Sequence, residues 1–128
     1  MTINGTPGNE FDSGAVAVTS SSTYVEICTI QAAGRPLSIH GDAGAGGALA
    51  HLKITSSPVL GGTHKDLAED TDFATATTSI PRCQPSNPHA TAGGGTFQMK
   101  IDAGQGEYTI YAKKASGDTT LRIRGRVL

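Results

Sequence analysis

The amino-acid sequence predicts an all-β protein, a single antiparallel β-sandwich or jelly-roll-like domain of about seven to eight strands. The first observation is strict alternation near the end of the chain, where Phe97, Met99 and Ile101 occupy every second position. A period of two is the side-chain repeat of a strand with one buried face. The second observation is composition: the 128 residues include 17 glycines, 6 prolines and no tryptophan. Such a composition favours short strands joined by many turns.

Two further runs, residues 108–112 and 121–127, repeat this alternation. Turn signals at residues 103–106 and 116–118 separate the three runs, and each is short enough to predict a β-hairpin. Tyr108 begins a strand directly after a tight turn. Sandwich domains often bury such a ring and bond its hydroxyl to the backbone of the turn, so we expect that arrangement here.

The earlier strands are shorter and less regular. Weaker alternation predicts strands at residues 14–20, 23–31, 37–39 and 48–56, with a possible short strand at 73–78. A proline-rich loop covers residues 79–95. Loops of this length inside a compact domain are usually functional or ordered by a partner.

The chain divides into an extended N-terminal arm, residues 1–13, and a sandwich domain, residues 14–128. The arm is polar and contains glycine and proline, and Phe11 is its only large apolar residue. Arms of this kind are disordered or lie across a neighbouring molecule. Phe11 is therefore a candidate contact with a partner.

The formal charge of −1 argues against a general nucleic-acid-binding protein, which would be clearly basic. The charges are unevenly distributed: acidic residues crowd positions 66–72, and basic residues crowd positions 113–126. This arrangement could join two copies head to tail, or the charges could pair within the chain. No apolar run is long enough for a membrane span, and the first residues lack the pattern of a signal peptide. We therefore expect synthesis in the cytoplasm, with no membrane partner.

Several motifs suggest chemistry, but each has a simpler interpretation. His40, Asp42 and His89 match the two-histidine, one-carboxylate pattern of non-haem iron enzymes, although His89 lies in the proline-rich loop. The glycine-rich stretch 41–47 lacks the residues of a phosphate-binding loop and is interpreted as an inter-strand connection. Cys28 and Cys83 show no zinc spacing, and two buried thiols are favoured over a disulfide. We predict no catalytic residues, no metal and no cofactor.

Alternation on the last strand places three guanidinium groups on one face, those of Arg122, Arg124 and Arg126. Arginine forms forked hydrogen bonds with carboxylates and phosphates, which suits an interface. Charges on an edge strand would also discourage unwanted pairing between sheets. Tyr111 and Lys113 share a face of the preceding strand and are predicted to extend the same surface.

The stretches 104–125 and 34–39, on a β chain rich in threonine, glycine and alanine, resemble the β-sandwich structural proteins of tailed-bacteriophage virions, in particular capsid decoration (cement) proteins. The resemblance implies a protein made in the host cytoplasm that docks on the capsid surface and strengthens the phage head without catalysis. It also implies the major capsid protein, or another virion protein, as partner, and a homo-oligomer, a trimer or dimer.

Two alternatives remain open at this point. The first is another virion role, such as a head–tail adaptor or a tail or fibre component. The second is a carbohydrate-binding module, although such modules usually present exposed aromatic platforms and this chain has only three tyrosines.

Overall fold

The structure, a computed structural model, describes residues 2–4, 8–44, 47–70 and 95–128. These residues form nine strands: β1 (Thr2–Asn4), β2 (Glu10–Val18), β3 (Val25–Gln31), β4 (Leu37–Ala43), β5 (Gly47–Ser57), β6 (Lys65–Asp70), β7 (Gly95–Ile101), β8 (Glu107–Gly117) and β9 (Thr119–Val127). The described ranges contain no helix. The predicted all-β sandwich is therefore confirmed, with nine strands in place of seven or eight.

The strands form two sheets. The five-stranded sheet has the order β1-β3-β8-β5-β6, and the four-stranded sheet has the order β2-β9-β4-β7. Neighbouring strands are antiparallel except for β1, which runs parallel to β3. Of the nine strands, only β5 and β6 are consecutive in sequence and also hydrogen-bonded to each other.

The two predicted hairpins are therefore wrong. Residues 103–106 lead from β7 in the four-stranded sheet to β8 in the five-stranded sheet, and residues 116–118 lead back to β9. Gly117 has a φ of 71°, in the left-handed region that glycine adopts without strain. Alternation identifies the buried face of each strand, but it does not identify the partner strand, and short turns serve both connections.

The core fills the space between the two inner faces. The alternating residues of β8 and β9 supply much of it, and each is at most 1% exposed: Tyr108, Ile110, Ala112, Leu121, Ile123 and Val127. Full burial of a large aliphatic side chain contributes roughly 1.5–3 kcal/mol to folding. The Tyr108 hydroxyl accepts a hydrogen bond from the backbone N–H of Gln105 at 3.0 Å, as the sequence predicts.

The N-terminal residues are incorporated into both sheets. β1 pairs with β3, and β2 already begins at Glu10, so residues 10–13 of the predicted arm lie within a strand. Phe11 is 7% exposed and belongs to the core of its own chain. A register shift between Asp12 and Ala15 makes the inward positions change from odd to even numbers. This bulge conceals the alternation of β2 in the sequence.

The middle of the chain differs from expectation in two ways. β6 was not predicted, and it places the acidic residues Asp66 and Glu69 on an edge strand of the five-stranded sheet. Charged residues on short edge strands hinder pairing with other chains. β4 extends to Ala43, well beyond the predicted 37–39. The possible strand at 73–78 and all but the last residue of the 79–95 loop lie outside the described residues.

Replacement of Phe11 by alanine tests whether this residue belongs to the core or to a detachable arm. We expect Phe11→Ala to lower the free energy of unfolding by about 3–5 kcal/mol because a buried ring is lost. Val59→Ala is the control, since Val59 is 60% exposed, and it should change stability by less than about 0.5 kcal/mol. Urea denaturation followed by circular dichroism measures both, and equal stabilities would contradict the placement of Phe11.

Candidate functional site

The predicted interface residues lie on two opposite outer faces of the sandwich. Tyr111 and Lys113 lie on β8 in the five-stranded sheet, whereas Arg122, Arg124 and Arg126 lie on β9 in the four-stranded sheet. The side chains of both sets point away from the core, since they alternate along their strands with buried residues such as Ala112 and Ile123. The prediction of one continuous surface is therefore wrong, because it assumed that β8 and β9 are neighbours. Phe11, the sixth candidate, lies in the core.

The outer face of the four-stranded sheet, which we call the arginine face, is built around β9. β2 and β4 flank β9 on its two sides, and each arginine has one residue from each neighbour beside it. Arg126 pairs with Glu10 and Ser38, Arg124 with Asp12 and His40, and Arg122 with Ala15 and Asp42.

Every arginine of this face is held by a carboxylate. Arg126 Nη2 donates to Glu10 Oε1 at 2.6 Å, and Arg124 Nη2 donates to Asp42 Oδ2 at 2.5 Å. Arg122 donates from two nitrogens to the two carboxylate oxygens of Asp12. The guanidinium groups of Arg122 and Arg126 are thus bonded to β2, and that of Arg124 is bonded to β4. The three arginines of the basic stretch 113–126 are therefore paired within the chain, as one of the two interpretations left open would have it.

These contacts favour the ionised forms of Asp12 and Asp42. The hydrogen bond from Arg122, together with one from the backbone N–H of Gly14, holds the pKa of Asp12 far below its usual value. Burial raises the pKa of Asp42, but hydrogen bonds from His40 and Arg124 outweigh it, so the net pKa of Asp42 is also lowered. Asp12 in turn raises the pKa of Arg122. Asp12, Asp42 and Arg122 are therefore charged at neutral pH.

Arg124 bonds to a residue of β4 and Arg126 to a residue of β2. An open depression of about 700 Å³ lies between the two side chains. Seven of its lining residues are polar, and Phe11, Ile39 and Gly125 lie beneath them; the polar ones are Glu10, Asp12, Ser38, His40, Gln98, Arg124 and Arg126. A Cβ atom at Gly125 would clash with the carbonyl oxygen of Ser38 and would lie 2.8 Å from Phe11 Cζ. The strands beneath the depression therefore approach each other closely only because residue 125 is glycine.

The outer face of the five-stranded sheet carries a second group, the tyrosine–lysine cluster, composed of Tyr24, His51, Lys53, Tyr111 and Lys113. The Tyr24 ring lies edge-on to Tyr111, with centroids 6.4 Å apart. Lys53 Nζ lies 4.6 Å and Lys113 Nζ 4.3 Å from the Tyr24 centroid, which places both ammonium groups within cation–π range.

Neighbouring strands fix this cluster. Tyr111 is the register partner of both Lys53 on β5 and Glu26 on β3, and His51 is the register partner of Lys113. The Tyr24 hydroxyl donates to Glu69 Oε2 at 2.5 Å. His51 Nδ1 is buried and has no hydrogen-bond partner in the part of the chain that the structure describes. Tyr24 was not among the predicted interface residues, although it lies in the predicted strand 23–31, because only the pairing of β3 with β8 brings it beside Tyr111.

A hydrogen-bonded chain of three residues lies on the same sheet. Thr55 Oγ1 lies 2.9 Å from His64 Nδ1, and His64 Nε2 lies 2.8 Å from Glu107 Oε1. The backbone N–H of Gly61 also donates to Glu107 Oε1, at 3.0 Å. These bonds fasten the β5–β6 connection to β8. The tip of that connection carries Val59 and Leu60, which are 60% and 56% exposed.

The other motifs are placed only in part. His40 Nε2 lies 3.0 Å from Asp42 Oδ1, but His89 lies outside the described residues. Within the described ranges, no group of three or more histidine, cysteine or acidic side chains is arranged to hold a metal ion. Cys28 is a free and fully buried thiol, and burial raises its pKa to about 12. Cys83 lies outside the described residues.

No protein-family model and no curated protein sequence matches this chain. Its fold is similar to that of the SPBc2 prophage-derived protein YomS, with a TM-score of 0.50, 11% identity and coverage of 94% of this chain and 95% of that chain. A pre-peptidase C-terminal domain of collagenase from Bacillus anthracis gives a TM-score of 0.46 and 12% identity, covering 96% of this chain and 92% of that chain.

The carbohydrate-binding module CsCBM6-3 from Clostridium stercorarium, solved with cellobiose, gives a TM-score of 0.43 and 9% identity, covering 97% of this chain and 85% of that chain. At these identities the similarities concern the fold alone. Within the described residues, no helix is long and apolar enough to cross a membrane.

The Asp12–Arg122 pair predicts a specific dependence of stability on pH. The pKa of Asp12 is lowered on folding from its usual 3.8, so this carboxylate stabilises the fold above about pH 4 and loses that contribution as the pH falls further. We expect Asp12→Asn to lose less stability than the wild type between pH 6 and pH 3. Urea midpoints at the two pH values measure the difference.

Asp118→Asn is the matched control, because Asp118 lies in the turn between β8 and β9, away from the arginine face. This variant should lose as much stability on acidification as the wild type. An identical pH dependence in Asp12→Asn and the wild type would show that the ion pair contributes nothing.

Proposed function

We propose that this chain is a non-enzymatic structural protein of a phage virion, a capsid decoration protein that binds the head through the outer face of its five-stranded sheet. The observation that carries the proposal is the tyrosine–lysine cluster. It joins aromatic and cationic side chains from β5, β8 and the segment before β3 on one sheet face. The partner is the major capsid protein or another protein of the shell.

The chemistry of the cluster suits protein docking. Tyrosine is enriched in the centres of protein interfaces, where its ring supplies apolar area and its hydroxyl a hydrogen bond. Lys53 and Lys113 are already held against the Tyr24 ring, so less side-chain entropy is lost on binding than for free lysines. A stable interface of ordinary size buries about 800 Å² on each partner, an area that one sheet face can supply.

The topology and one structural similarity also support this class. Successive strands from β1 to β5 alternate between the two sheets, and such connectivity is typical of jelly rolls, which viral capsid domains use widely. The similar fold of a prophage-derived protein agrees with a phage origin. We propose a trimer or dimer as the docked form, because many weak contacts then act together on a repeating shell.

The test uses heads purified from the phage that encodes the chain, after deletion of its gene. Added protein should co-sediment with these heads in a fixed ratio to the major capsid protein. The double variant Lys53→Gln/Lys113→Gln should bind at least about tenfold more weakly, because both cluster cations are lost. Thermal melting of the variant confirms that it is folded.

Arg35→Gln/Lys100→Gln is the control, since it removes the same charge from an exposed turn residue and an exposed residue of the four-stranded sheet. It should bind heads like the wild type. If both double variants bind heads equally weakly, net charge alone explains the loss of binding, and docking through the cluster is contradicted. Binding to purified tails and not to heads would favour the adaptor, tail or fibre roles instead.

A further inference from the structure

The depression on the arginine face lies on the side of the sandwich opposite the tyrosine–lysine cluster. We propose that this depression is a binding site for a neutral oligosaccharide built of hexose units. Docking through the five-stranded sheet would leave it facing away from the shell, but the binding itself does not depend on the proposed function. The isolated chain should bind the oligosaccharide by itself, so binding is tested with the isolated chain.

The lining groups provide the hydrogen bonds that sugar hydroxyls require. Arg124 and Arg126 are planar donors, Glu10 and Asp12 are acceptors, and Gln98 supplies both a donor and an acceptor group. Adjacent hydroxyl groups of a hexose can each donate one hydrogen bond and accept another, so they match an alternation of donors and acceptors.

These groups are oriented before any ligand arrives. Arg126 is held by Glu10 and Arg124 by Asp42, while Asp42 also contacts His40. Side chains that are already immobilised lose little entropy on binding, and this matters for ligands that compete with water for every hydrogen bond.

The balance of charge selects a neutral ligand. The lining contains two guanidinium groups, from Arg124 and Arg126, and two carboxylates, from Glu10 and Asp12. Two further charged residues beside the depression, Arg122 and Asp42, also carry opposite charges and are bonded to Asp12 and Arg124. An acidic or a basic ligand would therefore meet as much repulsion as attraction. The hydroxyl groups of a neutral ligand can accept hydrogen bonds from the guanidinium groups and donate hydrogen bonds to the carboxylates.

The size and shape of the depression agree with this class. Its volume of about 700 Å³ lies within the roughly 300–1,000 Å³ of small-molecule sites. The centre is low because Ser38, the outward residue of β4 beside Arg126, is small, so among the described residues no large side chain fills the space between the arginines. An open depression also accepts a chain longer than its own width.

The tyrosine–lysine cluster is the weaker candidate for such a ligand. Sugar rings stack on exposed aromatic faces, but Lys53 and Lys113 already lie over the Tyr24 ring. The outward residues that line the depression include no phenylalanine or tyrosine, so we expect binding through hydrogen bonds, with modest affinity for each sugar unit.

The experiment is a titration of the isolated, isotope-labelled chain with maltotriose, cellotriose, mannotriose and, as an acidic probe, sialyllactose. The side-chain N–H signals of Arg124, Arg126 and Gln98 are followed by NMR. We expect saturable shifts of these signals with at least one neutral trisaccharide, and weaker binding or none with sialyllactose.

Ser38→Phe fills the depression from an exposed position and should weaken binding at least about tenfold. Ser116→Phe makes the same change at an exposed site on β8 and should leave binding unchanged. Gln98→Ala removes one polar group without adding bulk and should weaken binding several-fold. No saturable shift with any neutral probe, a preference for sialyllactose, or unchanged binding in Ser38→Phe would overturn the proposal, whatever the head-binding assay shows.

Discussion

The central position of β9 in the four-stranded sheet is the constraint on which the rest of the structure depends. Its inward residues, Leu121, Ile123 and Val127, are fully buried, and its outward arginines lie between two strands that supply carboxylates. Gly125 allows Phe11 of β2 and the backbone of β4 to pack closely against β9, where a Cβ would clash with the carbonyl oxygen of Ser38. A single alternating strand thus determines both the core and the arginine face.

The two outer faces have different chemistry because different types of residue occupy the outward positions of the two sheets. On the five-stranded sheet, aromatic rings and lysines pack on one another, and the proposed function assigns this surface to the contact with the shell. On the four-stranded sheet, arginines and carboxylates neutralise each other and leave polar groups around a low centre. A rigid sandwich keeps these faces apart, so a protein that binds a shell with one face presents the other to its surroundings.

Much of the fold could be predicted from alternation, because burial of every second residue is recorded directly in β8 and β9. The buried Tyr108 and its bond to the preceding turn were predictable for the same local reason. The partner of each strand could not be predicted, because short turns of the kind that close hairpins also connect the two sheets. The bulge after Asp12 interrupts the alternation of β2 and concealed this strand in the sequence. The arginines were found as candidates, but their carboxylate partners Asp12 and Asp42 are 110 and 82 residues away in sequence. Only the register of the sheet brings them together.

Under the proposed function this chain is part of a phage virion, and cryo-electron microscopy of intact particles of that phage tests the central claim most directly. The account predicts ordered density for the sandwich at symmetry-related positions on the head, with the five-stranded sheet against the shell and the arginine face towards solvent. Density with the arginine face buried against the shell, or particles from which the protein is missing, would contradict it.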